Sequence, residues 1–359
     1  MTSAPAPAPA PEEAAPATPA PDILSRCREL VRPALADAIG ELHPWTGEMA
    51  AFSLGWSDVS GAPAPDASEG KGVRQALAVL GAEGAGANGQ AATAGAVAVE
   101  LIHTFSLLHD DVMDGDGTRR RRETVWKAYG TGPAVLAGDA LFALAMQTLA
   151  EARTAHAGAA IPRLCATLTE LVRGQTEDLL FETRPWTGPD AVQPEEYRAM
   201  AERKTGALLG CAASLGGLLG GAAPATVTAL DRAGRHLGVA FQAIDDLLGI
   251  WGDPAVTGKP VHSDLRNRKK TLPVLTALAT EGASAERLTR LLNSAAPLDD
   301  SALAEAAALI EETGAATATR TEATHHLGAA RTCLHHAPLT HQATHDLNTL
   351  LTHLLHRTT

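Results

Sequence analysis

Two apolar segments of this chain carry paired aspartates where a helical core would have only hydrophobic side chains. The first, LIHTFSLLHDDVMD, ends at Asp114, and the second, FQAIDDLLGIWGD, places its pair between Ile244 and Leu247. Charged side chains are rarely buried unless they are paired or bind a ligand. A fold that accommodates both pairs must therefore enclose a polar site within a helical core.

Helical periodicity extends over most of the chain, whereas alternating strand patterns and Asn-Gly hairpin turns are nearly absent. Residues 1–21 contain seven prolines and no lysine or arginine. They predict a disordered Pro/Ala-rich tail, not a signal peptide. We find no internal repeat and no strong interior boundary in residues 22–359. The sequence therefore predicts an all-α fold with a single helical domain over 22–359.

Individual helices can be predicted from the apolar periodicity. They cover residues 23–39, 73–80, 91–113, 132–157, 161–181, 194–223, 224–249, 271–281, 284–293, 301–312, 315–331 and 341–355. Glycine, proline and serine predict loops at 56–72 and 81–89. Segment 205–223 is uncharged but contains six glycines, which lowers its hydropathy. We predict a buried helix that approaches its neighbours closely, not a transmembrane span.

Charge and cysteine content argue against several classes of protein. The formal net charge of −12 argues against a nucleic-acid partner, because neutralising phosphates requires a basic surface. The four cysteines are far apart and form no CxxC pair, so neither a disulfide framework nor a zinc site is predicted. With no transmembrane segment expected, the sequence is typical of a cytoplasmic protein with reduced thiols.

The first acidic group lies at the end of an apolar helix. At about 100° per residue, Asp110 and Asp114 are one turn apart, and His103 falls on the same face. Two carboxylates at i and i+4 suit a hard divalent cation, and Mg²⁺ shares its remaining ligands with waters and substrate phosphates. Taken alone, the motif is equally compatible with a charged helix end followed by a solvated loop.

The second acidic group favours the metal-site interpretation. Gln242, Asp245 and Asp246 lie at i, i+3 and i+4 inside an otherwise apolar helix, where a solvated face is not expected. Two such helices facing each other would form a cage for Mg²⁺ ions and a diphosphate. Only six lysines exist, and four of them stand beside glycine, threonine or acidic residues, as is typical of phosphate sites: Lys71, Lys204, Lys259 and Lys269.

In combination these motifs resemble the trans-isoprenyl diphosphate synthases, the polyprenyl synthetase family, and most of all its bacterial geranylgeranyl diphosphate synthases. The resemblance covers roughly residues 25–357. The matching positions are Gly70, Lys71 and Arg74; His103; Asp110, Asp111, Asp114, Arg119 and Arg120; Gln175 and Asp178; Lys204 and Thr205; Phe241, Gln242, Asp245 and Asp246; and Gly258, Lys259, Asp264 and Lys269. It implies the isoprenoid synthase helical bundle around a central active-site cavity, and commonly a homodimer.

The resemblance also implies a reaction and its participants. An allylic diphosphate would be joined head to tail to isopentenyl diphosphate, with about three Mg²⁺ ions, replaceable by Mn²⁺, on the allylic diphosphate. The implied metal ligands are Asp110, Asp111, Asp114, Asp245 and Asp246. Arg119, Lys204 and Lys259 would complete that clamp, and Thr205, Gln242 and Lys269 would add substrate contacts. Lys71, Arg74, His103 and Arg120 would bind the second diphosphate without metal.

Product length is predicted from two residues before the first aspartate. Phe105 lies about 7.5 Å along the helix axis from Asp110, and an aromatic residue there is associated with C20 products in the resembling enzymes. Ser106 is small and would not block a C15 chain. On an ideal helix Phe105 points away from Asp110, so ordinary core packing is equally compatible. We predict geranylgeranyl diphosphate as the product, with C15 and C25 as alternatives.

The chain departs from the family pattern at Gly72, Gln75, Gly249 and residues 121–123. Gly249 replaces the last aspartate of the second motif, whereas Asp245 is retained. These departures affect the expected rate more than the expected reaction. In the charged segment that follows Asp114, we expect Asp116, Arg121 and Arg122 to form a solvated loop.

Two other functions are compatible with parts of the pattern. A class I terpene cyclase shares the helices, the first acidic motif and Mg²⁺, but no Asn-Asp-x-x-Ser-x-x-x-Glu motif is present here. A regulatory subunit of a heteromeric synthase usually lacks one aspartate-rich motif, whereas both are kept here. The histidine-rich C-terminal segment, with His341 and His345 one turn apart, is interpreted as a polar helix face because no carboxylate or cysteine completes a metal site.

Overall fold

The computed structural model describes residues 18–64, 70–258, 260–294 and 296–355. Over those ranges the chain forms the helices α1 (Ala20–Gly40), α2 (Pro44–Ser53), α3 (Val73–Gly84), α4 (Thr93–Asp114), α5 (Val125–Tyr129), α6 (Thr131–Ala150), α7 (Ala157–Thr183), α8 (Pro194–Ala201), α9 (Ala207–Leu219), α10 (Pro224–Trp251), α11 (Pro254–Thr257), α12 (Ser263–Arg266), α13 (Leu272–Leu278), α14 (Ala283–Leu292), α15 (Asp300–Glu312), α16 (Ala315–His336) and α17 (His341–Leu355). The all-α prediction is confirmed.

Three short elements interrupt the helices. A 3₁₀ turn at Gly89–Ala92 leads into α4, and a π turn at Glu202–Gly206 joins α8 to α9. Strands β1 (Thr118–Arg119) and β2 (Arg122–Glu123) form a two-stranded antiparallel hairpin after α4. The sequence predicted neither the π turn nor the hairpin, because both depend on packing against distant helices.

Most predicted helices are present, with one clear error of length. The helix predicted over 132–157 ends at Ala150, and residues 151–156 form bends and turns. That segment is polar and mostly exposed, so it has no apolar face with which to extend the helix against the core. The short helices α2, α5, α11 and α12 were not predicted, because α5, α11 and α12 are too short to show a period and the apolar residues of α2 do not gather on one helix face.

The core has two parts. The larger lies between α1, α3, α4, α9, α10 and α16 and contains fully buried side chains such as Leu80, Ile102 and Leu215. The smaller lies under α12 to α15 and is built around Ile250, Leu288 and other apolar residues. The C-terminal half of α10 is thereby held on both sides, and it carries the second aspartate pair.

Helix α9 is buried along almost its whole length, as predicted for segment 205–223. Its glycines allow the neighbouring backbone to approach. A Cβ at Gly216 would overlap the backbone carbonyl of Ala78 on α3, and a Cβ at Gly81 on α3 would overlap the carbonyl of Ala213. The close α3–α9 contact therefore requires glycine on both helices.

The close contact between α3 and α9 predicts that a side chain at Gly216 destabilises the protein. Gly216→Ala is expected to lower the free energy of unfolding by about 3 kcal/mol, because a backbone carbonyl cannot move aside as a side chain can. Gly328→Ala is the matched control, since no atom lies within 4 Å of its Cβ position on α16. That change should stabilise the protein by about 0.5–1 kcal/mol. Chemical denaturation of both variants measures the difference; equal effects would contradict the proposed close packing.

Two helical segments are long and apolar enough to cross a membrane by length and composition alone, Gly89–Asp114 and Thr131–Ala150. The first is largely buried in the protein core, as expected of a central helix in a soluble protein. The second, which is α6, exposes Leu136 and Phe142. Helix α6 therefore presents apolar side chains on the surface of this chain.

Candidate active site

A cavity of about 1020 Å³ lies between α4, α7, α9 and α10, with the hairpin and residues 263–271 at its rim. Both aspartate pairs contribute to it. Asp110 lines it from α4, and Asp245 and Asp246 line it from α10. The two helices therefore face each other across one space, as the sequence predicted.

The first aspartate group stands at the C-terminal end of α4. The helix stops at Asp114 because Gly115 takes a left-handed conformation, with φ of 69°. Burial raises the pKa of Asp110 to about 6, although the charge of Lys204 opposes that rise. Asp114 Oδ2 accepts a hydrogen bond from Lys269 Nζ at 3.0 Å. Each carboxylate thus already faces an ammonium group.

Asp111 is paired differently, with an arginine of the hairpin. It is 4% exposed, and Arg119 donates to its Oδ1 from Nε, with Nη2 also 2.7 Å from that oxygen. The sequence interpretation placed Arg119 on the diphosphate and Asp111 among the metal ligands. In the structure this pair fixes β1 against the end of α4, which favours a positioning role for Asp111.

The four consecutive arginines separate at a two-residue turn. Arg120 and Arg121 both have positive φ, 50° and 64°, a conformation uncommon for arginine. The turn places the Arg120 guanidinium against Gly70, where a Cβ would leave it no room. Residues next to each other in sequence thereby reach different parts of the site.

The expectation that residues 121–122 are merely solvated is wrong. Arg121 donates to the carbonyl of Ala255, beyond the end of α10. Arg122 donates to the carbonyls of Ser57 at 2.6 Å and Phe52 at 3.2 Å, and lies over the Phe52 ring. These contacts hold the hairpin to α2 on one side and to α11 on the other, because a guanidinium can satisfy several carbonyls at once.

The second aspartate group contains one accessible and one enclosed carboxylate. Asp246 is 2% exposed, and Tyr197 donates to its Oδ2 at 2.6 Å. The Leu272 N–H donates to the same oxygen, and Gln242 donates to Oδ1. Burial raises the pKa of Asp246 to about 7 against these hydrogen bonds. With both oxygens engaged, Asp246 anchors α10 to α8 and α13, and Asp245 is better placed for a ligand.

The π turn positions the lysine-threonine pair predicted to contact substrate. Lys204 Nζ donates to Asp178 Oδ2 at 2.5 Å, and Thr205 Oγ1 donates to Gln242 Oε1 at 2.9 Å. A Cβ at Gly174 on α7 would collide with the Lys204 backbone, so that glycine lets α7 approach the turn. Both residues consequently line the cavity beside Asp110. Lys259, predicted to complete the clamp, lies outside the described residues.

A cationic group occupies another part of the cavity wall. It consists of Lys71, Arg74, His103 and Arg120. Burial lowers the pKa of Arg74 to about 10, and its buried Nε has no hydrogen-bond partner. Burial and the neighbouring guanidinium groups hold the pKa of His103 well below its usual range, so the ring is neutral. An unsatisfied buried donor among cations fits an anion.

Glu100 is a site residue that the sequence reasoning missed. It is 8% exposed, lines the cavity one turn before His103, and its charge acts on Arg74 and Arg120. Burial raises the pKa of Glu100 against the attraction of Arg74. The signal was available, since an acid within an apolar helix was the argument used for Asp245. Tyr197, by contrast, had no sequence signal, because it reaches Asp246 only through the packing of α8.

The two predicted chain-length residues lie in different surroundings. Ser106 lines the cavity between His103 and Asp110, and its Oγ donates to the His103 carbonyl at 2.8 Å. The ring of Phe105 instead packs against His109, at 4.8 Å between centroids, and Phe142 of α6, at 5.6 Å. Phe105 therefore packs between α4 and α6, and it is not among the residues that line the cavity.

The donor set of the cavity suits a hard divalent cation. Among the described residues no group of three or more histidine, cysteine, aspartate or glutamate side chains could hold an ion by itself. Mg²⁺ normally takes only one or two protein carboxylates and completes its shell with waters and phosphate oxygens. Carboxylates from α4 and α10, with lysines already placed against Asp114 and Asp178, fit that pattern.

The chain belongs to the polyprenyl synthetase family, whose sequence model matches residues 65–310. It is 45% identical over 292 residues to a (2E,6E)-farnesyl diphosphate synthase of Mycobacterium tuberculosis, covering 80% of each chain. It is 44% identical over 293 residues to a geranylgeranyl diphosphate synthase of the same organism, covering 81% of this chain and 82% of that one. These similarities define a short-chain trans-prenyl diphosphate synthase, a prenyltransferase.

Solved structures share the fold. A polyprenyl synthetase from Streptomyces coelicolor has a TM-score of 0.86 and 46% identity, over 93% of this chain and 98% of that one. A polyprenyl synthase from Caulobacter crescentus, complexed with calcium and isoprenyl diphosphate, has a TM-score of 0.76 and 27% identity, over 94% and 98%. The family resemblance seen in the sequence is confirmed, and enzymes of this family use divalent metal ions.

Proposed function

We propose that this protein condenses farnesyl diphosphate with isopentenyl diphosphate to give geranylgeranyl diphosphate and diphosphate, with Mg²⁺ as the cofactor. The division of charge in the cavity carries the proposal. One part holds aspartates and lysines from α4, α7, α10 and the π turn, and another holds the cationic group with a buried, unsatisfied Arg74 Nε. The allylic diphosphate would bind together with metal ions and isopentenyl diphosphate without them. The first therefore needs an acidic environment and the second a cationic one.

The acidic part would receive the allylic diphosphate. Bound there, about three Mg²⁺ ions would offset the charge that develops on the departing diphosphate. Asp110 and Asp114 from α4 and Asp245 from α10 would provide the protein oxygens. Lys204 and Lys269 would then turn from their carboxylate partners to phosphate oxygens, and Arg119 would stay close through its contact with Asp111. Lys259, which lies outside the described residues, is proposed to bind the same diphosphate.

The cationic part would receive isopentenyl diphosphate. Lys71, Arg74 and Arg120 would bind its phosphate oxygens by charge-assisted hydrogen bonds. His103 is neutral, so it would donate one hydrogen bond without adding charge to three neighbouring guanidinium groups. Glu100 would offset the repulsion between Arg74 and Arg120 while the site awaits substrate.

No side-chain nucleophile is required by this chemistry. The allylic C–O bond breaks, the isopentenyl double bond attacks the resulting carbocation, and a new C–C bond forms. The released diphosphate takes the proton lost from the isopentenyl unit, which balances the reaction. Leu107, Leu171 and Phe241 line the cavity near the charged groups and would exclude water from the carbocation.

Other parts of the proposal follow the family. A homodimer is supported by the apolar surface of α6, where Leu136 is 64% exposed and Phe142 is 39% exposed. A cytoplasmic location is supported by the free cysteines among the described residues.

A terpene cyclase is less well supported, because the cationic group around Arg74 would have no substrate to bind. Both aspartate groups are kept, which argues against a purely regulatory subunit.

Product analysis tests the function. The purified chain, given farnesyl and isopentenyl diphosphates with Mg²⁺, is expected to yield a C20 alcohol after phosphatase treatment, and no product after chelation of the metal. The C15 alternative is favoured by the similarity to a farnesyl diphosphate synthase. A product that stops at C15 with geranyl diphosphate as primer would establish that alternative; activity only with an added partner would favour the regulatory subunit.

A further inference from the structure

Helix α1 contacts the loop that carries Lys71, although no residue of α1, which the structure describes in full, lines the cavity. The contact is made by one side chain. Arg28 Nη2 donates to the Gly70 carbonyl at 3.1 Å. A Cβ built at Gly72 would lie 3.5 Å from Arg28 Nε, so the same guanidinium also lies against Gly72. Arg28 therefore reaches both glycines that flank Lys71.

The conformation of this loop depends on such contacts. Gly70 and Gly72 both have positive φ, 81° and 66°, and glycine loses more conformational freedom on folding than any other residue. Arg28 engages the Gly70 carbonyl, while the Arg120 guanidinium of the hairpin lies within 3 Å of the Cβ position of the same residue. Two guanidinium groups from distant segments thus hold a loop that has little rigidity of its own.

Arg28 also belongs to the electrostatics of the cationic part of the cavity. Burial raises the pKa of Glu100, and the charge of Arg28, together with those of Arg74 and Arg120, opposes that rise. Arg28 is half-buried, so water screens its charge only in part. A cation of α1 therefore acts on the cavity from behind its wall.

We propose that Arg28 is a positioning residue for isopentenyl diphosphate, which acts by holding the Gly70–Gly72 loop so that Lys71 meets the diphosphate. The inference rests on the function proposed above. Arg28 belongs to none of the family motifs matched in the sequence, the first of which begins at Gly70. A hydrogen bond from a charged donor fixes the carbonyl that precedes Lys71, and small displacements of a binding group have large effects on how substrate is held.

Steady-state kinetics of Arg28→Met test the inference, since methionine keeps the apolar stem and removes the charge and the donors. The KM for isopentenyl diphosphate is expected to rise about tenfold, the effect of losing one hydrogen bond from a charged group. The kcat and the KM for farnesyl diphosphate should change less than about twofold, because the acidic part of the cavity is untouched. Arg28→Lys, with its charge and a donor retained, should fall between Arg28→Met and the unmodified protein.

Arg26→Met is the matched control on the same helix. Arg26 donates to both carboxylate oxygens of Glu83, at 2.5 and 2.9 Å, and so joins α1 to α3. Its loss is expected to lower the thermal unfolding temperature but to leave the KM for isopentenyl diphosphate within about twofold. An equal rise of that KM in Arg26→Met and Arg28→Met would overturn the inference, because any loosening of α1 would then be sufficient.

A double variant shows whether Arg28 acts through the loop. Added to Lys71→Met, Arg28→Met is expected to raise the KM for isopentenyl diphosphate by less than about threefold more, since a loop without its lysine gains little from being held. Losses that multiply would show that the two residues act independently and would overturn the inference. If the unmodified protein transfers no prenyl group, the proposed function fails as well; if it is active and Arg28→Met keeps its KM, only this inference fails.

Discussion

Asp110→Asn is expected to lower kcat for prenyl transfer by about 10³-fold or more, while the protein stays folded. The carboxylate lies on the cavity wall of α4, opposite Asp245, where charge on a departing diphosphate must be offset. Asparagine keeps the size of the side chain but removes its negative charge, so the cation would lose a ligand. Because that interaction strengthens as the C–O bond breaks, kcat should fall far more than KM rises.

Asp116→Asn is the matched control for this prediction. It makes the same chemical change two residues after Asp114, at a side chain that does not line the cavity. Initial rates at saturating farnesyl and isopentenyl diphosphates, over a range of Mg²⁺ concentrations, should show at most a small effect of this control. A loss of less than tenfold in Asp110→Asn, or equal losses in both variants, would remove Asp110 from the proposed metal site.

Local periodicity was sufficient to locate the helices that carry the site. Asp110, Asp114 and His103 fall on one face of α4 because a helix repeats every 3.6 residues, and no knowledge of the fold is needed to see this. The same argument placed Asp245 on α10 within an apolar helix. The all-α fold and the facing aspartates were therefore predictable from spacing and from the family resemblance.

Roles that depend on tertiary packing could not be predicted. Asp245 and Asp246 look equivalent in sequence, yet Asp246 alone is enclosed by Tyr197 and the Leu272 N–H, which arrive from other helices. Likewise, the directions of the four arginines follow from positive φ at two of them, a conformation for which arginine has no preference. Adjacent like residues acquire different roles only when the chain is folded around them.

Gly249 shows a third limit on what can be predicted from the sequence. In sequence it reads as the loss of an acidic side chain, and a lower rate was the natural expectation. In the structure the position is filled from α12 by Asp264, fifteen residues later in the chain. Which segment fills the space beside position 249 is a property of tertiary packing, and sequence spacing alone does not reveal it.

The second large effect that we expect is a change in the chain length of the product. Ser106→Phe is expected to shorten the main product from the proposed C20 to C15 or less. Ser106 lines the cavity about 6 Å along the α4 axis from Asp110, so a ring there would occupy the path of the growing chain. The alcohols released by phosphatase, separated by chromatography, report the length distribution directly. Ser106→Leu, with a smaller side chain, should give an intermediate distribution.

Phe105→Ala is expected to change the product in the opposite direction, toward C25, because it removes the ring that packs against Phe142 of α6 beside Ser106 and so makes room next to the cavity wall. Phe105→Ala removes a ring and Ser106→Phe adds one at the adjacent position, so the two changes in side-chain volume are similar in size and opposite in sign. Opposite shifts would therefore identify the wall between α4 and α6 as the limit on chain length. The same shift in both variants would mean that a general loosening of α4, and not the shape of this wall, determines the product.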